Sequence, residues 1–280
     1  MGGHRYEVGL IGAGIAASLS PALHEREARQ QGLRYRYRLI DIDERGDDVG
    51  ALLEQARRDG LKGVNVTHPV KQSVVPHHDA LSDDAAALQA VNTVVFEDGR
   101  ATGHNTDTTG FAESFARGLP DVALDRVVLL GAGGAGTAVA YGALRLGVQR
   151  LAIVDVDAER ARACVEQLGS DRAQVGTLDD LGEADGVVHA TPTGMDAHPG
   201  LPLDEELLRP DLWVAEVVYR PLETELLRVA RELGCRTLDG GGMAVFQAAD
   251  AFALFTDIEP DRERMLRHFS QLVDEPVSAR

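Results

Sequence analysis

Between Asp125 and Asp155 the chain runs strand, glycine turn, helix, strand, acid, and that order leaves few folds open. Asp125 to Leu130 reads as a strand, apolar from Val127 on. Gly131-Ala132-Gly133-Gly134-Ala135-Gly136 follows at once as G-x-G-x-x-G, then a helical stretch from Thr137 to Leu146 and a second strand, Leu151 to Val154, closed by Asp155. The glycines let the backbone approach a pyrophosphate, the helix N-terminus stabilises its charge, and an acid about two dozen residues on bonds both ribose hydroxyls. The stretch therefore predicts a parallel α/β sheet around a dinucleotide site, with Gly131, Gly133, Gly134, Ala135, Gly136 and Asp155 facing the cofactor. A carboxylate at 155 repels a 2'-phosphate, which favours NAD over NADP. Arg160, a turn or two further on, is the nearby cation that could accept that phosphate.

The rest of this half continues the alternation. Gly186 to Met195 is a strand running into a turn, expected to close over the nicotinamide end of the cofactor. Strand Trp213 to Val218 delivers Tyr219 at its end, helix Glu223 to Leu233 stops at Gly234, and Arg236 to Leu238 supplies one more strand. Asp239-Gly240-Gly241-Gly242 reads as a hinge. Met243 to Phe255 is too apolar all round for a surface helix, so it is expected to return to the first half and bring Gln247 toward a cleft between domains.

The first half holds a second glycine loop. Strand Tyr6 to Ile11 enters Gly12-Ala13-Gly14-Ile15-Ala16-Ala17, which fits a relaxed G-x-G-x-x-A, and strand Tyr35 to Ile40 ends in Asp41-Ile42-Asp43. Against a nucleotide site, Ser20-Pro21 predicts an N-cap with the helix starting at Ala22, so that Ser18 and Ser20 point hydroxyls into the crevice above the strand ends. Spacing alone leaves this loop open between a nucleotide site and a small polar-ligand site. Strand Gly63 to Val66 then breaks at Pro69, which puts Thr67, His68 and Lys71 on a loop or first helical turn. Lys62 and Lys71 are the only lysines in an arginine-rich chain, and a lysine can be tuned to exchange a proton where an arginine cannot. Asp79 to Leu88 reads as a helix, Ala90 to Phe96 as a strand carrying Asn92 and Thr93, and Glu97 to Arg100 as a hairpin turn. Gly103-His104-Asn105-Thr106-Asp107 closes this half with another polar cluster. Asn105 reads equally as a strand-end hydrogen-bonding residue.

A chain of 280 residues is long for one core. Two domains are expected, 1–107 with 241–280 and 108–240. A net charge of −17 disfavours nucleic acid and anionic membranes as partners. No run approaches the roughly 20 apolar residues of a membrane span and the start lacks a signal peptide's apolar segment, which predicts a cytoplasmic protein. Cys164 and Cys235 are too few for a disulfide framework. His24, His68, His77 and His78 lack metal-ligand spacing, so no metal is expected.

Taken together these stretches resemble the shikimate dehydrogenase family over nearly the whole chain. Its S-x-S-P loop with an early histidine is similar to Ser18-Leu19-Ser20-Pro21 with His24. Its N-V-T-x-P-x-K segment matches Asn65 to Lys71, A-V-N-T matches Ala90 to Thr93, G-x-N-T-D matches Gly103 to Asp107, A-T-P-T-G-M matches Ala190 to Met195, and the late G-M with Gln matches Gly242-Met243 with Gln247. The resemblance implies an N-terminal α/β substrate domain and a Rossmann-type domain, with the C-terminal helices returning to the first. It assigns Ser18, Ser20, Thr67, Lys71, Asn92, Asp107, Tyr219 and Gln247 to substrate, and Thr191, Pro192, Met195, Val217 and Gly240, with Arg160, to cofactor. Lys71 is implied as general acid/base, paired with Asp107. Asp155-Val156-Asp157, Glu25 and the run Tyr219 to Leu227 look like the NAD-dependent quinate/shikimate branch, whereas Ser20 stands where the quinate-oxidising members have threonine. The implied reaction is NAD-dependent oxidation of shikimate, with quinate as a second substrate, by a monomer or homodimer. The alternatives are an NADP-dependent biosynthetic enzyme and, more remotely, a non-catalytic sensor of NAD or a quinate-like acid.

Overall fold

The computed structural model describes residues 5–46 and 48–274. The chain divides into two compact units, Met1–Thr106 with Val245–Arg280, and Asp107–Ala244. Among the described residues no helix is long and apolar enough to cross a membrane.

In the first unit β1 (Arg5–Gly12), β2 (Arg34–Asp41), β3 (Gly63–Val66), β4 (Ala80–Leu81), β5 (Thr93–Glu97) and β6 (Arg100–His104) form one sheet in the order β2-β1-β3-β5-β6-β4. β1 runs parallel to β2 and β3, and β5 is antiparallel to β3 and β6. The β5–β6 turn places Asp98 and Gly99 at φ 49° and 76°, the left-handed pair that matches the twist of a tight hairpin. Ile11, Val64, Val66 and Val94 pack one face. On the other, Val8, Leu10 and Tyr37 meet Ala251 and Phe255 of helix Gly241–Thr256.

Several boundaries differ from the sequence reading, four of them by enough to matter for the site or the hinge. Helix Ser20–Gln30 begins at Ser20 with Leu19 as its cap residue and no side-chain capping bond, so the Ser20 hydroxyl is not consumed as a cap. Asp79 to Leu88 splits into β4 and helix Asp83–Leu88, capped by Ser82. The residues Ala90 to Asn92 precede β5 rather than belong to it. Gly241 and Gly242, expected in a hinge, start the last-but-one helix, where Asp239 Oδ1 accepts the Gly241 N–H at 2.9 Å.

Helix Arg262–Asp274 is fastened to helix Ser20–Gln30 by one carboxylate. Arg264 Nε and Nη2 donate to Glu27 Oε2 and Oε1 at 2.8 and 2.6 Å, and the Asp261 N–H and Gln31 Nε2 donate to Oε1 at 2.9 and 2.7 Å. His24, one turn earlier, lies among Tyr35, Tyr37, Phe252 and Phe255 with its Nδ1 3.0 Å from Tyr35 Oη. Burial holds its pKa down at about 3, from 6.5. Between those values the unfolded chain binds a proton that the folded one refuses, so this group makes stability fall as pH drops below 6.5, by about 1.4 kcal/mol per unit. His24→Gln is expected to flatten the loss of urea resistance between pH 6 and 4 relative to the unsubstituted chain. An unchanged slope counts against this account.

The second unit carries β7 (Arg126–Leu130), β8 (Arg150–Val154), β9 (Ala173–Val175), β10 (Gly186–His189), β11 (Trp213–Glu216) and β12 (Arg236–Leu238). They form a sheet in the order β12-β11-β10-β7-β8-β9. Every pairing is parallel. Counted from the first strand this is the 3-2-1-4-5-6 order of the doubly wound dinucleotide fold, whose switch point falls after β7. Phe111, Phe115, Leu129, Val139 and Trp213 share one of its cores.

Candidate active site

In the first unit the polar segments gather where β1, β3 and β6 end and β5 begins, which is one end of the sheet. Main-chain bonds fix the Lys71 loop: the Thr67 N–H donates to Ile11 O at 2.9 Å, Ala13 N–H to His68 O at 3.0 Å and Val91 N–H to Lys71 O at 2.8 Å. Gly12 is the condition for this. A Cβ there would stand 2.3 Å from Thr67 Cγ2 and 3.0 Å from His68 O. The first glycine loop is therefore built for contact with the lysine loop rather than with a nucleotide. Its acids are engaged in the same way, since Asp43 Oδ2 accepts the Gly14 N–H at 3.1 Å and Asp41 Oδ2 the Ile15 N–H at 3.2 Å.

A chain of buried polar groups runs behind this end. Asn65 Nδ2 donates to Asn92 O at 3.3 Å and to Thr93 Oγ1 at 2.9 Å, which leaves Asn65 Oδ1 to accept the Tyr37 O–H at 2.7 Å. Tyr37 is also hydrogen-bonded to the Ser20 side chain, and burial pushes its phenol well above the usual range. Asn92 Oδ1 accepts the Thr106 N–H at 2.8 Å and the Thr93 hydroxyl at 3.0 Å, while Asn92 Nδ2 donates to Thr106 Oγ1 at 2.9 Å. Thr106 is thus fixed by Asn92, and Asp107, buried at 6% exposure, is the next residue. Ser18 Oγ accepts the Ser20 N–H at 3.3 Å. Asn105 Nδ2 donates to Ala90 O at 3.0 Å, a structural bond. Ser18, Ser20, Thr67, Lys71 and Gln247 are half-buried. Sequence reasoning missed Tyr37; its signal is the alternation of Tyr35 and Tyr37 with arginines along β2.

In the second unit the glycine turn has the form expected. A Cβ on Gly136 would lie 2.0 Å from Gly131 O, and one on Gly131, at φ 99°, would lie 2.8 Å from Ala190 O and 2.9 Å from Thr191 Cγ2. Cβ atoms on Gly133 and Gly134 would meet nothing within 4 Å. The protein's own packing gives no reason for glycine at those two positions, whereas a ligand approaching the backbone does. Helix Gly134–Leu146 opens there without a side-chain cap, so its first N–H groups are open to an anion. The residues present fit a dinucleotide.

Asp155 closes the arrangement. Its Oδ2 accepts the Ala132 N–H at 2.8 Å and its Oδ1 the Asp157 N–H at 2.9 Å. Arg160 lies 3.7 Å from Asp155 and 3.8 Å from Asp157, so its charge is already shared between two carboxylates. The turn after β10 sets Ala190 and Thr191 against Gly131. Pro192 is exposed, as are Met195 at 42% and Tyr219 at 40%. Gly240 is held against the Val217 and Val218 carbonyls, which would be 2.4 and 2.5 Å from a Cβ. Among the described residues no group of three or more His, Cys, Asp or Glu is placed to hold a metal.

A doubly wound unit with an open glycine turn and an acid at the second strand, joined in one chain to a mixed α/β unit with a buried polar end, defines a dinucleotide-binding protein of two-unit build. Residues 10–94 match the shikimate dehydrogenase substrate binding domain. The chain is 64% identical to "Shikimate dehydrogenase (NADP(+))" of Streptomyces avermitilis, over 95% of this chain and 96% of that one. It is 50% identical to "Quinate/shikimate dehydrogenase (NAD(+))" of Corynebacterium efficiens, over 95% and 98%. Among solved structures, quinate dehydrogenase from Corynebacterium glutamicum in complex with NAD superposes with a TM-score of 0.92 at 48% identity, covering 95% of this chain and 99% of that one. The chain belongs to the shikimate dehydrogenase family.

Proposed function

We propose that the chain catalyses the reversible oxidation of shikimate to 3-dehydroshikimate, and of quinate to 3-dehydroquinate, with NAD. The observation that carries this reading is the convergence of Ser18 and Ser20, Thr67 and Lys71, and Asn92 on the end of the first unit's sheet from which Thr106 leads into Asp107. Hydroxyls, an amide and an amine at the carboxyl ends of parallel strands suit a polyhydroxy acid. Oxidising a secondary alcohol removes a hydride and the hydroxyl proton together, so one side chain must act as general base and, in reverse, as general acid. Lys71 takes that role. Asp107 holds and orients the same hydroxyl. Ser18 and Ser20 bind the carboxylate; Thr67, Asn92 and Gln247 bind ring hydroxyls; Tyr219 lends support. The nicotinamide, when bound, accepts and returns the hydride. Gly131, Gly133, Gly134, Ala135 and Gly136 would hold its pyrophosphate, Asp155 a ribose, and Thr191, Pro192, Met195, Val217 and Gly240 the remainder.

For cofactor choice, Asp155 and Asp157 supply negative charge where a 2'-phosphate would lie, and they engage Arg160. A preference for NAD of at least about tenfold in kcat/KM is expected, and Asp155→Ala should weaken it. A panel of shikimate and quinate against NAD and NADP, followed by absorbance growth at the reduced-nicotinamide band, tests both substrate and cofactor. Comparable efficiency with NADP in the unsubstituted chain contradicts the preference and supports the second reading, an NADP-dependent biosynthetic enzyme, which the name of the 64% identical relative favours. No reaction in any arm refutes both and leaves a sensor.

A further inference from the structure

We infer that Glu216 and His189 are positioning residues that fix the Thr191 turn and set its hydroxyl as a hydrogen-bond acceptor toward the dinucleotide. The inference rests on the assignment of Thr191 to the cofactor in the proposed function. His189 and Glu216 are register partners at the ends of β10 and β11, and both side chains are fully buried. His189 Nδ1 lies 2.9 and 3.0 Å from the two carboxylate oxygens of Glu216, and its Nε2 lies 2.5 Å from Thr191 Oγ1.

The polarity of this relay follows from counting donors. Glu216 Oε1 accepts the Val217 and Val218 N–H groups at 2.9 and 3.0 Å, and Oε2 accepts the Thr224 hydroxyl at 3.0 Å. The Val217 and Val218 N–H groups can only donate, and with Glu216 as a carboxylate the Thr224 hydroxyl and His189 Nδ1 donate to it as well. With that ring in its neutral Nδ1–H form, Nε2 is its acceptor and the single Thr191 hydroxyl proton goes there. The Thr191 oxygen takes the Thr193 N–H at 3.3 Å. It has acceptor capacity left and no donor. The turn therefore suits a ligand group that gives a hydrogen bond, such as a ribose hydroxyl or an amine of the dinucleotide, and not a phosphate oxygen.

One carboxylate also ties the cofactor-side segments together. It reaches the Thr191 turn, which lies against Gly131, through His189, and it holds by their N–H groups Val217 and Val218, whose carbonyls press on Gly240. A buried pair of this kind acts on affinity by fixing geometry before the ligand arrives.

Two measurements test the proposal. Nitrogen-15 NMR of the full chain with labelled histidine should show His189 as the neutral Nδ1–H tautomer; an Nε2–H or doubly protonated ring overturns it. Glu216→Gln keeps an oxygen for Val217 and Val218 but lets the imidazole change tautomer. It is expected to weaken binding of NADH, read by its fluorescence, by about fivefold, with kcat at saturating dinucleotide within about twofold of the unsubstituted chain. Thr191→Val should weaken NADH binding similarly, and the double variant should be no weaker than either single one. Additive losses, or a loss confined to kcat, refute the relay. If NADH binds and responds in this way while shikimate and quinate are inert, the relay stands and the proposed substrates fail; if NADH does not bind the unsubstituted chain, both fail.

Discussion

Lys71→Ala is expected to lower kcat for shikimate oxidation by roughly 100- to 10,000-fold, the range by which a positioned general acid/base accelerates a proton transfer. Shikimate binding by calorimetry should persist, because Ser18, Ser20, Thr67, Asn92 and Gln247 supply most of the proposed contacts. The main chain at 71 is pinned by the Val91 N–H, and Val70 inside the same loop is buried, so the substitution removes an amine without releasing the loop. Lys71→Arg separates two roles. A guanidinium keeps the positive charge but stays protonated at working pH. If charge alone matters, arginine rescues turnover; if proton transfer matters, it does not, and the second outcome is expected. Near-normal turnover in the alanine variant removes Lys71 from the mechanism.

The largest expected loss of stability comes from Glu27→Leu. The Glu27 carboxylate is fully buried and Arg264 is partly exposed, at 26%. Removing the acid leaves Arg264 Nε and Nη2 and the Asp261 N–H without their acceptor, while Nη1 keeps Asp261 Oδ2 at 3.2 Å, at a cost of roughly 3 kcal/mol. The unsubstituted carboxyl is held below its usual pKa against desolvation, chiefly by Arg264 and the Asp261 N–H. Its contribution is therefore present above the ordinary carboxyl pKa and is lost as pH falls through the depressed one. The chain's single tryptophan, Trp213, lies in the second unit, so urea unfolding followed by both tryptophan fluorescence and far-ultraviolet dichroism separates the two units. The dichroism midpoint should drop with an early phase absent from the fluorescence. A change under about 1 kcal/mol means the clamp adds little beyond the packing of the two helices.

What the sequence discloses here is local. Gly131 to Asp155 can be read because strand, turn, helix and acid follow one another and each has its own chemical reason. The decoy at Gly12 to Ala17 shares the spacing but not the contacts. Its first glycine answers to Thr67, and its acids answer to their own loop, facts that no single window of sequence contains. Tyr37 with Asn65, His189 with Glu216, and Glu27 with Arg264 escape for the same reason. They meet across strands or helices far apart in the chain, and a tyrosine in a strand or a glutamate on a helix has no pattern that names its partner. The start of helix Ser20–Gln30 was misplaced because Ser-Pro carries a capping signature that the backbone does not use; the serine hydroxyl serves Tyr37 instead.

The first unit is discontinuous, and this has a consequence for synthesis. Its sheet is encoded by 106, yet the helix that covers Val8, Leu10 and Tyr37 arrives only after 245. At about 5–20 residues per second the intervening stretch takes roughly 7–28 s to emerge, and the second unit, encoded without interruption, closes in that interval. Throughout it the nascent chain carries a naked apolar sheet face, so a ribosome that stops just after the second unit releases a product with one finished half and one adhesive half.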